Sequence, residues 1–164
     1  MGKELQANDN NFFFPLAYIV DVLLSFIMND NTPRSDIAPW LIDTLTEAGI
    51  SHAALVEVLL GLVHKNSDTN SLFTMYLVVA HSMEIYSDFI IHHNIDPMVK
   101  SRFVASLHHY DTVLSDMEEK VQNNQAGNEA RLREEVLKQI KKVRSVLKKQ
   151  KRREESILYG QMLI

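Results

Sequence analysis

His81, Glu84, Asp88 and His92 recur at spacings of three, four and four, which places them on one face of a helix. Neutral imidazoles beside carboxylates are donors that suit zinc, iron or manganese. His109 and Asp116 share a polar face further along and could complete such a set. Helical di-metal bundles use Glu-x-x-His on two helices, and that spacing occurs nowhere in the chain. The four residues also lie opposite Tyr76, Val79, Met83 and Ile90. The expectation is a solvated polar face that holds no metal.

Other catalytic patterns are missing. Ser51, Ser82 and Ser106 stand outside any Gly-x-Ser-x-Gly, and there is no Gly-x-x-x-x-Gly-Lys or Gly-x-Gly-x-x-Gly phosphate loop. With 0 Cys there is no disulfide, thiolate metal site or thiol nucleophile. The pairs His92-His93 and His108-His109 add pH sensitivity near neutrality. These absences point to a non-enzymatic protein without a cofactor.

Charge is segregated. Residues 1–128 hold 6 Lys+Arg against 16 Asp+Glu, net -10; residues 129–164 hold 11 against 5, net +6. A basic segment on an acidic body reaches for its own body, a second copy, an acidic partner or nucleic acid. Within it, Leu132, Val136, Ile140, Val143 and Leu147 follow spacings of four, four, three and four. That is a narrow seam of the coiled-coil kind. Lys141, Arg144, Lys148 and Arg152 stand around it, within a dense run of Lys and Arg. Gln150 and Glu154 interrupt the stripe before Ile157 and Leu158 resume it. The seam residues and these four cations are the expected partner-binding set, for a protein partner or a second copy.

Nucleic acid is the alternative, through the basic helix 131–153. A degenerate helix-turn-helix at 38–65 could assist, with Leu45, Ala48, Gly49, Ile50, Ser51, Leu55 and Val58 at suitable spacing. Leu45 is large for its place. The second helix should expose His52, Ala53, Val56 and Glu57, which include no Arg, Lys, Asn or Gln for base edges. Tertiary packing explains this helix pair more simply.

The elements that must position these residues are all helical. The chain has 164 residues, 46% hydrophobic, with only 5 Gly and 4 Pro, too little turn material for many strands. Pro15 to Met28 reads as a helix central to the core, too short and too acidic at Asp21 for a membrane span. Further helices read as Ala38–Ala48 with Gly49 as stop, Ser51–Lys65, Thr69–His93, a single helix from Asp96-Pro97 to Asn123, and Glu129–Tyr159. The fold class is thus all-α, a compact helical bundle followed by a long antiparallel, coiled-coil-like helical hairpin with a basic C-terminal helix. Residues 1–11 read as a flexible tail, 12–95 as the bundle and 96–164 as the hairpin with an apolar end. A cytoplasmic interaction module that presents the 97–159 hairpin is the expected function.

Overall fold

The computed structural model describes residues 17–28, 34–63, 68–124 and 130–162. Among them are seven helices and no strand: α1 (17–28), α2 (Arg34–Ala48), α3 (His52–Gly61), α4 (Thr69–His92), α5 (Pro97–Ala105), α6 (Leu107–Asn123) and α7 (Ala130–Met162). The all-α expectation holds. The expected tail at 1–11, the Pro15 start, the Glu129 start of the last helix and the last residues of the apolar end lie outside the described residues.

Local signals set most boundaries. Gly49 ends α2 at φ 69°, and the N–H groups of Gly49 and Ile50 return to the carbonyls of Thr46 and Leu45, both at 3.1 Å. Only glycine takes that left-handed position without steric cost. Ser51 Oγ accepts from the Ala54 N–H at 3.1 Å and so caps α3. Asp68 and Asp96 cap α4 and α5 through the N–H groups of Ser71 and Met98, at 2.6 and 2.8 Å. Asp68 is thereby held below the usual carboxylate range.

Several boundaries differ from the sequence reading: α3 ends at Gly61, short of Lys65, and α7 continues past Tyr159 to Met162. Helix α2 begins at Arg34, not Ala38, so Pro39 lies inside it. Pro39 has no N–H to return to the carbonyl four residues earlier, so one backbone bond of the second turn is missing. The single helix expected over 97–123 is two, α5 and α6, joined at Ser106 (φ -90°, ψ -4°). Its hydroxyl donates to the Arg102 carbonyl at 2.8 Å. Such back-bonding to a carbonyl four residues earlier bends helices.

The centre of the molecule is α4, not α1. Most residues of α4 from Phe73 to Ile91 are themselves buried. By contrast α1 buries only Ile19 and Leu23 fully, and Tyr18 lies on the surface, edge-on to Trp40 with ring centroids 5.7 Å apart. A helix with apolar residues on several sides can still sit at the rim, because neighbours determine which side is covered. Helix α7 lies along α4 in parallel, since Gln139 meets Glu84 and Arg153 meets Ile91. It runs antiparallel to α6, since Arg144 meets Glu118 and Lys151 meets Asp111. One apolar cluster takes residues from every described helix. Among the described residues no helix is long and apolar enough to cross a membrane.

Candidate functional site

Helix α7 presents three kinds of surface. Val136, Ile140, Val143 and Leu147 face inward and are buried, with Leu132 half-buried at the end of the row. The seam expected to meet a partner is therefore covered by α4 and α6 of its own chain. It is also wider than the stripe suggested, because Val146, Gln139 and Gln150 are buried beside it. Gln150 does not interrupt the buried arc; its amide donates to Glu154 Oε1 at 2.6 Å.

The two flanks of α7 are occupied within the chain. On the α6 side, Arg144 donates to Glu118 Oε2 at 2.5 Å and to Ser115 Oγ at 3.2 Å, and Lys151 pairs with Asp111. Arg144 thus leaves the set of cations open to a partner. On the α4 side, Gln139 Nε2 donates to Glu84 Oε2 at 3.1 Å. Arg153 donates to the Ile91 carbonyl at 2.6 Å, at the end of α4 where carbonyls lack helical partners and the dipole favours a cation.

The outer arc remains. Lys138, Lys141, Lys142, Lys148, Lys149 and Arg152 are exposed, and none forms an ion pair or hydrogen bond with a described residue. At 3.6 residues per turn they fall within about a third of the helix circumference, opposite the buried row. From Lys138 to Arg152 the row extends ~21 Å at 1.5 Å per residue.

The histidine–carboxylate face is not the solvated face its spacing suggested. Glu84 is buried under α7, and His81 is half-buried. His92 Nδ1 lies 3.2 Å from Asp88 Oδ1 and 2.9 Å from its carbonyl, at the exposed end of α4. His109 pairs with Glu57 at 2.7 Å, and Asp116 with Lys120 at 3.1 Å, so neither joins the α4 residues. Among the described residues no three His, Asp or Glu groups converge closely enough to hold an ion.

The helix-turn-helix reading loses its reading face. His52 and Val56, expected outside, are buried, and Glu57 is engaged with His109. His52 instead ties three helices together. Its Nδ1 is 2.7 Å from Tyr110 Oη on α6, and its Nε2 is 3.2 Å from Ser82 Oγ on α4. Ser82 gives its own proton to the Val79 carbonyl at 2.9 Å, so it accepts from His52 Nε2–H. Nδ1 is then the acceptor, and Tyr110 donates to it. The imidazole also stacks on Tyr86, with centroids 4.4 Å apart and planes 8° from parallel. Burial pushes its pKa from 6.5 down to about 3, against an opposing hydrogen bond to Ser82, so the ring is neutral. Tyr110 is likewise raised well above its ordinary value by burial.

This tie was not visible in the sequence. His52 sits one residue past a capping serine, a position that reads as exposed, and its partners lie 30 and 58 residues away. No family model, curated protein or solved structure matches the chain.

Proposed function

We propose that the protein is a non-enzymatic helical interaction module whose outer α7 surface docks an acidic segment of a protein partner. The observation that carries this reading is the division of cations along α7. Arg144, Lys151 and Arg153 are engaged by groups of their own chain, while Lys138, Lys141, Lys142, Lys148, Lys149 and Arg152 have no described partner. A row of unneutralised charge on a rigid helix attracts a polyanion and speeds its encounter.

A protein segment suits this row better than duplex DNA. A major groove about 12 Å wide admits one helix of about the same diameter. Helix α7 is backed by α4 and flanked by α6, so only its outer arc is free and it reaches no base edges. Acidic residues on the exposed part of α6, Asp116 and Glu119, lie on the neighbouring helix and oppose a broad phosphate surface. Support for a non-enzymatic role comes from Ser82, the hydroxyl that meets an imidazole. It is buried and donates its proton to a carbonyl, so His52 does not activate it. A cytoplasmic setting suits the reading, since a chain without cysteine needs no oxidising compartment.

The test is fluorescence anisotropy with two labelled probes, a Glu-rich peptide and a nonspecific DNA duplex, at low and moderate salt. Solution mass is measured alongside by light scattering. The peptide is expected to bind, and the triple variant Lys141→Glu, Lys148→Glu, Arg152→Glu to lose it. Tight duplex binding that falls steeply with salt and disappears in that variant transfers the function to nucleic acid. A mass above the monomer that the variant abolishes makes the partner a second copy. Binding of neither probe by a monomer sinks the proposal.

A further inference from the structure

A cleft of about 320 Å³ with no α7 residue in its lining opens where the end of α2, the start of α3 and the flank of α4 meet α5. That volume is at the lower end of small-ligand sites. Leu45, Ile50 and Val99 give it an apolar side, and Tyr86 and Arg102 give it a polar one.

Both polar groups are unused. Tyr86 is only 7% exposed, yet its hydroxyl makes no hydrogen bond to a described residue. Its ring is already fixed by the stack on His52 and an edge contact with Phe103 at 6.2 Å. The hydroxyl itself is not shut off from solvent, so in the empty cleft water satisfies it, and a bound acceptor takes that water's place. The Arg102 guanidinium likewise pairs with no described residue. It is near enough to Tyr86 for its charge to oppose the rise that burial gives the phenol pKa.

We propose that this cleft binds a small organic carboxylate with a short apolar tail. The carboxylate sits against Arg102 and the Tyr86 hydroxyl, and the tail against Leu45, Ile50 and Val99. A guanidinium offers two parallel N–H groups that match the two oxygens of a carboxylate. One cation neutralises one negative charge, which suits a monocarboxylate better than a phosphate dianion. The apolar side gives the remainder of the ligand a surface that free phosphate cannot use.

The test uses the full chain and three probes: hexanoate, hexanol and inorganic phosphate. Backbone amide NMR shifts are followed through each titration. Hexanoate is expected to produce saturable shifts at Gly49, Ile50 and His52, with affinity in the millimolar range, as a ligand of few atoms allows. Arg102→Gln and Tyr86→Phe should each weaken it by about ten-fold, the loss of one charge-assisted hydrogen bond. Arg102 is exposed, and Tyr86→Phe keeps the stacked ring, so both variants should keep their spectra away from the cleft. Hexanol or phosphate binding as well as hexanoate overturns the proposal. So does the absence of saturation, hexanoate shifts confined to α7, or an affinity that neither variant changes.

Discussion

Around His52, polar side chains from α3, α4 and α6 are shut away from water and satisfy one another. Along the outer arc of α7, cations face water and none is paired with a described residue. The two regions lie under opposite constraints. A buried polar group must find a partner inside the chain, or folding bears its desolvation cost. An exposed lysine carries no such obligation, so its arrangement is free to serve something else. Polar residues at the core therefore report on stability, and the solvent-facing row reports on association.

The sharpest break of this contrast is to impose a charge on the wrong side of α7. Ile140→Asp puts an unpaired carboxylate in the core and should cost more than about 4 kcal/mol, enough to unfold the whole chain rather than one hairpin. Circular dichroism that shows full helicity and an unchanged melting midpoint would contradict the packing of α7 on α4.

Next in size is the pH dependence of the His52 tie. The folded ring takes its proton near pH 3, and the unfolded one near 6.5. Between those values the unfolded state binds more protons, so His52 stabilises the fold above 6.5 and loses that contribution as pH falls towards 3. The loss is at most about 5 kcal/mol over the window. Urea midpoints measured across it should fall more steeply for the natural chain than for His52→Phe. Parallel profiles would mean that the histidine is not buried neutral.

A smaller effect isolates one bond of the tie. Tyr110→Phe removes the hydroxyl that donates to His52 and should cost about 1–2 kcal/mol in urea unfolding. A neutral result would give the tie no energetic weight. Smallest of all, the outer-arc triple variant Lys141→Glu, Lys148→Glu, Arg152→Glu should stay within about 1 kcal/mol of the natural chain. Arg144→Ala, which breaks a partly exposed ion pair, should cost roughly as little, up to ~1 kcal/mol. Loss of stability from the outer triple well beyond that would place those cations among the groups that hold the fold.

Short-range chemistry was legible. Gly49 as a stop, Asp96-Pro97 as a restart and the inward row of α7 each follow from residues within one or two turns. Long-range chemistry was not. The Glu84 side of α4 read as solvated because helical spacing shows which residues share a face and not which neighbour covers it. Glu84 is buried by Gln139, 55 residues further on. The same gap made α1 look central and made the α7 seam look available. Ser106 hid its bend because the choice between capping and back-bonding depends on geometry the spacing does not contain. The cleft beside α5 depends on four helices meeting, which no single segment encodes.

The parallel alignment of α4 with α7 has a consequence for the order of folding. Arg153 reaches the end of α4 across 62 residues of chain, and the buried row of α7 closes over side chains made long before it. Helices α2 to α6 can pair with near neighbours in sequence, and α7 with α6, which is fast, but the contact of α7 with α4 must close a much larger loop before it repays that entropy. The apolar flank of α4 therefore stays open until the last long helix docks. Docking of α7 becomes the step most exposed to competition from other sticky chains, and changes in its buried row should alter yield in the cell before they alter anything the mature protein does.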